Sequence, residues 1–343
     1  MKIVIDSGVP FSRGVFEPDA DVVYKEDLHH SDLIDADAII TRNRTRCNAE
    51  LLDGTSVRMI ASATIGLDHV DMEYCHERGI YVQNSAGSNA GGVTNYIFSA
   101  LYGIAARKSI SLENAVVGIV GVGNVGRRVQ QMATYLGLRV LSYDPLRASE
   151  EGSSQFVELD VLLEASDVVV MCVPLNERSR EMADASFFAK MKTGAIFINA
   201  ARGEVMVDRA LKDARPKLGA IVIDTWNNEP FVDEELVEMV DIATPHIAGY
   251  SYQGMQNSTM MAVRGVARYF GISRLYEFFP PAEVAELESV KLDLRGKTPG
   301  EVASVLQYNY PIFTDDFMFR VDPGSFERLR DNYNYRREFY VDY

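Results

Sequence analysis

With 343 residues the chain is longer than one hydrophobic core ordinarily organises, so two domains and an added segment are expected. Hydrophobic residues make up 47% and charged residues 24%, with no charge block or low-complexity run, which excludes a chain dominated by disorder. The 34 Lys and Arg against 49 Asp and Glu leave a formal charge of -15; this excludes a basic field for nucleic acid or an anionic membrane, and an anionic small molecule would need locally placed cations.

Three scattered cysteines, Cys47, Cys75 and Cys172, lack metal-type spacing, so packing roles in a reducing compartment and no metal site are expected. The opening Met1-Lys2-Ile3-Val4-Ile5-Asp6 is far shorter than a signal-peptide core, and no later stretch nears the roughly 18 apolar residues of a membrane helix. A cytoplasmic protein is the expectation.

Short β-branched runs at Ile3-Val4-Ile5, Ala38-Ile39-Ile40 and Met59-Ile60-Ala61 predict buried parallel strands. Helical periodicity lies between them, as over 68–78, where Asp68 is the expected cap. Behind the second run, Thr41-Arg42-Asn43-Arg44-Thr45-Arg46 gathers three arginines in acidic surroundings, either as a solvated loop or as cations for an anionic substrate. A connecting helix is predicted over 94–108. The βα rhythm restarts at Ala115, with strands over 116–120, 138–143, 167–171, 195–198 and 220–223, and a helix over 255–270 could return the chain to the first domain. Beyond about Glu286 the character changes. Thr298-Pro299-Gly300-Glu301 is a capping box with Pro at the first helical position, a strand is expected over 317–321, and Ser325 precedes a helix carrying Phe326 and Leu329.

The chain therefore reads as α/β, with two doubly wound parallel-sheet domains plus a small C-terminal α+β domain. The expected boundaries are 1–92 with 255–285, 93–254, and 286–343. Such sheets bind ligands at the carboxyl ends of their strands, so a cleft between the two wound domains is the expected site.

Gly121-Val122-Gly123-Asn124-Val125-Gly126 follows a strand and opens a helix that Gly137 can stop. The next strand ends at Asp144, where a carboxylate can accept hydrogen bonds from both ribose hydroxyls of a dinucleotide. Gly121 permits a tight turn, Gly123 admits the pyrophosphate and Gly126 allows close packing of helix on strand. Asp144 would repel the 2′-phosphate of NADP, so NAD is the expected cofactor. Arg147 reads as a solvated surface arginine, with a phosphate contact as the alternative.

Oxidising a secondary alcohol requires a base for the hydroxyl proton, a task that suits imidazole. Of the five histidines, His29 and His30 lie in a polar stretch and His69 and His76 on a predicted helix. His246 differs: it stands in Ala243-Thr244-Pro245-His246-Ile247-Ala248-Gly249-Tyr250, just past a strand-like run over 240–243. A loop histidine can instead cap backbone groups. Two further strand ends favour chemistry. Ile198-Asn199-Ala200-Ala201-Arg202-Gly203-Glu204 offers a guanidinium fork for a carboxylate, and Asp224-Thr225-Trp226-Asn227-Asn228-Glu229-Pro230 offers Glu229 to support an imidazolium.

Segment by segment, these motifs resemble the D-2-hydroxyacid dehydrogenase family over nearly the whole chain. The resemblance implies a Rossmann-type NAD domain, a flavodoxin-like substrate or lid domain, and Arg202, Glu229 and His246 as catalytic residues. It also implies NAD contacts from Gly121, Gly123, Asn124, Val125, Gly126, Asp144, Ala200, Ala201, Arg202, Asp224 and Gly249. The loop Ala63-Thr64-Ile65-Gly66-Leu67-Asp68-His69-Val70-Asp71 matches one whose amides hold the substrate carboxylate, here at Thr64, Ile65 and Gly66. Arg42, Asn43, Arg44 and Tyr250 complete the expected substrate set.

Within the family, 118–128, 244–250 and the tail over 324–338 are similar to a branch that takes a phosphorylated four-carbon hydroxy acid and forms a homodimer through an added C-terminal domain. Asn43 replaces that branch's usual serine, Asn95 stands where glutamate is frequent, and the chain ends soon after Glu338. Siblings that act on phosphoglycerate, glyoxylate, hydroxypyruvate or D-lactate share the catalytic residues, and NAD-sensing corepressors share the fold, so these readings stay open.

Overall fold

The computed structural model describes residues 1–281 and 287–343, and the boundary expected at 285/286 lies outside them. The chain forms two compact units, Met1–Asn89 with Ser251–Glu288 and Ala90–Tyr250 with Ser289–Tyr343.

The first unit is built on a parallel sheet of β1 (Lys2–Asp6), β2 (Asp21–Lys25), β3 (Ala38–Thr41), β4 (Met59–Ser62) and β5 (Tyr81–Gln83), in spatial order β2-β1-β3-β4-β5. Alternate residues serve opposite faces, as the two-residue period of a strand requires. Ile3, Ile5, Ile40 and Met59 pack with Val263 and Val266 of helix Tyr252–Phe270. Val4, Ile39 and Ile60 pack with Leu33, Leu52 and Cys75 on the other face. The edge strands β2 and β5 were not expected, because they are short, half exposed and carry polar residues, as edge strands commonly do. The helix expected over 68–78 is shorter, Met72–Glu77. Asp71, not Asp68, caps it, accepting from the Tyr74 amide at 3.0 Å. Val70 is tied back to Leu67 and bridged to Cys47, so helical geometry cannot begin earlier.

The second unit carries β6 (Val116–Val120), β7 (Arg139–Tyr143), β8 (Val168–Met171), β9 (Ile196–Asn199), β10 (Ala220–Ile223) and β11 (Ile242–Ala243) in a parallel sheet ordered β11-β10-β9-β8-β6-β7. Helix Ala90–Lys108 is apolar around most of its circumference because it is buried from Ala90 to Ala105 almost throughout.

Ser289–Tyr343 groups with the second unit. Leu294, Val302, Leu306 and Ile312 join the core on one face of this sheet, while Phe319 and Phe326 join the core on the other. β12 (Val290–Lys291) pairs in parallel with β13 (Phe339–Tyr340). Helix Pro299–Asn309 opens on the expected capping box, in which the Thr298 amide donates to Glu301 at 2.8 Å. The strand expected over 317–321 is instead the last part of helix Ile312–Val321. Ile312, Asp315, Asp316 and Phe319 fall on one helical face and are buried together, which outweighs the local alternation of Phe317 to Val321. Among the described residues no helix is long and apolar enough to cross a membrane.

Candidate active site

The glycine loop joins β6 to helix Asn124–Tyr135. Gly121 has φ +93°, a left-handed conformation, and a Cβ there would stand 2.9 Å from the Cys172 backbone. A Cβ on Gly126 would collide with the Gly121 carbonyl oxygen. Gly123 differs. Nothing lies within 4 Å of a Cβ built on it, and as N-cap it leaves the first-turn amides, starting at Asn124 and Val125, without a side-chain cap. Open space before uncapped amides and a positive helix end suits a pyrophosphate.

Asp144 follows β7 and is fixed by its neighbours, accepting from the Val122 amide at 2.9 Å and the Arg147 amide at 3.1 Å. The Arg147 guanidinium grips Glu151 at 2.7 Å and donates to the Val122 carbonyl at 2.8 Å. It is tied locally, so a 2′-phosphate contact would cost these bonds. These residues fit NAD.

Three loops leave the ends of β9, β10 and β11. At the first, buried Asn199 accepts from the Ala201 amide at 3.1 Å and donates to the Arg202 carbonyl at 2.9 Å, shaping the turn through Ala200 and Ala201 that presents Arg202. A Cβ on Gly203 would strike the Trp226 backbone, so the first and second loops pack main chain to main chain. Neither Asn199 nor Gly203 was singled out from sequence, although Asn at a strand end beside Arg-Gly was a signal.

In the second loop, Glu229 accepts from the Trp226 amide at 2.9 Å with one carboxylate oxygen and meets Nδ1 of His246 at 2.8 Å with the other. Burial pushes the Glu229 carboxyl up, but the charge and hydrogen bond of His246, then the Trp226 amide and the Arg330 charge, outweigh it and leave the group below the usual carboxylate range. His246 has φ +56°, a conformation that costs a non-glycine residue about 1 kcal/mol or more. Asp224 holds it there. The fully buried Asp224 carboxylate accepts from Thr244 Oγ1 at 2.7 Å, the Ile247 amide at 2.8 Å and the Ala248 amide at 3.0 Å, and its carbonyl accepts from the His246 amide at 2.7 Å. Burial raises its carboxyl despite these opposing contacts. Tyr96 extends the network, 2.7 Å from Thr244 Oγ1. With Nδ1 on Glu229, Nε2 is the nitrogen left for a reacting group.

Gly249 is buried and Tyr250 is half buried, its ring beside Tyr333 and Tyr335 with centroids 5.9 and 6.0 Å away.

The first unit places its candidates separately. Thr64 bonds Ser62 Oγ at 2.7 Å and the Gly66 carbonyl at 3.2 Å, and Asn84 donates to the Ile65 carbonyl at 2.6 Å, so residues 64–66 form a pinned turn. The grouped arginines diverge. Arg42 lies over Gly8 and pairs with buried Asp6 at 3.4 Å, while Arg44 lines a surface pocket of about 370 Å³ with His29, His30 and Glu26. Asn43 is exposed between them. No cluster of three or more metal-ligating side chains exists among the described residues.

Residues 102–248 match the family model described as D-isomer specific 2-hydroxyacid dehydrogenase, NAD binding domain. The erythronate-4-phosphate dehydrogenase of Bacteroides fragilis is 40% identical, across 98% of this chain and 97% of its own. That of Porphyromonas gingivalis is 36% identical, across 98% and 94%. Among solved structures, D-lactate dehydrogenase from Aquifex aeolicus, complexed with NAD and lactic acid, superposes with a TM-score of 0.67 at 23% identity, covering 82% of this chain and all of its own. The NAD+-bound 3-phosphoglycerate dehydrogenase of Entamoeba histolytica gives a TM-score of 0.67 at 25% identity, covering 83% and 99%.

Proposed function

This chain belongs to the D-isomer specific 2-hydroxyacid dehydrogenase family, among its erythronate-4-phosphate dehydrogenases, and from that premise we propose that it oxidises 4-phospho-D-erythronate to (R)-3-hydroxy-2-oxo-4-phosphooxybutanoate, a step of vitamin B6 biosynthesis in the cytoplasm. The carrying observation is the 2.8 Å pair of Glu229 with His246, on loops that leave the same sheet as the glycine loop.

NAD+, when bound, supplies the acceptor for the hydrogen that leaves C2 with its electron pair. The glycine loop and Asp144 hold the dinucleotide, aided by Asn124, Val125, Ala200, Ala201 and Gly249. Nε2 of His246 takes the C2 hydroxyl proton. Glu229 fixes the ring through Nδ1 and offsets the positive charge of the resulting imidazolium. The Arg202 fork binds the C1 carboxylate and the developing 2-oxo group, and Asp224 sets the backbone beneath His246. The first unit serves as the substrate or lid domain, with Thr64, Ile65 and Gly66 of the pinned turn as carboxylate-binding residues and Arg42, Asn43 and Arg44 as further substrate-binding residues. Tyr250, in the second unit, completes the substrate-binding set.

The tail forms the homodimer contact. Its exposed apolar residues Tyr308 (84% exposed), Phe317 (63%) and Val321 (66%) are the kind of surface a second copy covers. Light scattering should give a dimeric mass, and Phe317→Glu should lower it.

The reaction is tested by incubating purified protein with 4-phospho-D-erythronate and NAD+, following NADH absorbance and trapping the 2-oxo product as a hydrazone for mass measurement. The reading fails if neither forms.

A further inference from the structure

The tail carries more than an assembly surface. Arg330 lies in helix Phe326–Asp331, and its guanidinium carbon stands 5.5 Å from the centroid of the Tyr250 ring and 5.5 Å from that of Phe326. Three other tail arginines are committed to carboxylates, Arg320 to Asp316, Arg328 to Asp322 and Arg336 to Asp315. Arg330 has no such partner among the described residues, and its Nε is buried with no hydrogen-bond acceptor. A buried donor on a charged group is unfavourable without an acceptor, and native structures seldom leave one.

The nearby anion does not supply that acceptor. Glu229 feels the charge of Arg330, yet its two oxygens already serve the Trp226 amide and His246. The rings of Tyr250 and Phe326 hold the guanidinium as a cation held against aromatic faces, and Tyr250 itself ends the loop that carries His246. A planar fork so held, short of an acceptor and next to the acid/base pair, is suited to a phosphate.

We propose that Arg330 is a specificity-determining residue that binds the phosphate of the substrate beside Tyr250, within the same chain as His246. This rests on the reading that the substrate is a 4-phosphorylated hydroxy acid, in which two carbons separate the reacting carbinol carbon from the phosphate ester oxygen. The 324–336 segment thereby links substrate choice to the integrity of the tail.

The test compares wild type, Arg330→Met and Arg330→Lys on 4-phospho-D-erythronate and on D-erythronate, with inorganic phosphate as a competing probe and NAD affinity measured separately by fluorescence. A charged hydrogen-bonding group at this position corresponds to roughly 10- to 100-fold in affinity. Arg330→Met should therefore raise KM for the phosphorylated substrate by about that factor, at least tenfold more than for D-erythronate, and abolish competition by phosphate. Arg330→Lys should recover part of the loss, and NAD affinity should stay within about twofold of wild type. Equal losses on both substrates, or unchanged competition by phosphate, overturn the proposal in favour of a packing role against Tyr250. Should Arg330→Met not fold, Arg330→Lys decides alone, since an unchanged KM and unchanged inhibition there also overturn it. If wild type does not oxidise 4-phospho-D-erythronate, the substrate reading fails instead, and calorimetric binding of inorganic phosphate to wild type but not to Arg330→Met would still support the anion site.

Discussion

Nδ1 of His246 and one carboxylate oxygen of Glu229 stand 2.8 Å apart, while the other oxygen of Glu229 is anchored by the Trp226 amide at 2.9 Å. The pair is thus oriented by main chain on one side and by the Asp224-anchored loop on the other. His246→Ala should lower kcat by about 10² to 10⁴, the usual contribution of a positioned base, and leave NAD affinity unchanged. Steady-state kinetics beside fluorescence titration with NADH check both halves, and undiminished kcat would remove His246 from the chemistry.

The same pair sets an acid limit on stability. The folded Glu229 carboxyl lies below its ordinary value, so between those two values the unfolded chain binds more protons than the folded one. Its stabilising contribution is complete above the usual carboxylate range and is lost as pH falls through the depressed folded value. Urea unfolding of wild type and Glu229→Gln, from about pH 7 down to about pH 3, should therefore show a stability difference that shrinks on acidification. A difference independent of pH would contradict the assignment.

The glycines separate folding from cofactor binding. Gly126→Ala drives a methyl group into the Gly121 carbonyl oxygen and should destabilise the second unit by about 1 to 3 kcal/mol. Gly123→Ala meets no protein atom within 4 Å, so its thermal midpoint without ligand should change little while NAD affinity falls. Differential scanning calorimetry with and without NAD distinguishes the two; equal midpoints for both variants would contradict the division of roles.

Asn95 ties the tail to helix Ala90–Lys108. Its amide nitrogen donates to the Phe339 carbonyl at 2.9 Å and its oxygen accepts from the Phe339 amide at 2.9 Å, all of it buried. Only a group that both donates and accepts can do this, so an ionised carboxylate would leave a carbonyl unpaired. Asn95→Asp should cost roughly 1 to 3 kcal/mol by chemical denaturation, and an unchanged midpoint would refute the account.

What the sequence disclosed follows from where information is local. Gly121 to Gly126 with Asp144, and the loops holding Arg202, Glu229 and His246, announce themselves because each lies at a strand end with a distinctive set of neighbours. The edge strands at Asp21–Lys25 and Tyr81–Gln83 were hidden, since their apolar signal is short and they are half exposed. Phe317 to Val321 alternates like a strand, and only the burial of Ile312 and Phe319 on one face explains its helix. Arg42 and Arg44, adjacent in a motif, diverge because Asp6 captures the first. Arg330 shows no local sign of a site, for its neighbour Tyr250 is 80 positions away.

Oxidation of a 4-phosphorylated hydroxy acid with NAD+ is tested by kcat/KM measured side by side for 4-phospho-D-erythronate, 3-phosphoglycerate, glycolate and D-lactate. NADH formation with the first should be at least about 100-fold more efficient than with the others, a ratio equivalent to about 2.7 kcal/mol of selective transition-state binding. Preferred turnover of any of the other three would leave the family assignment intact and contradict the substrate.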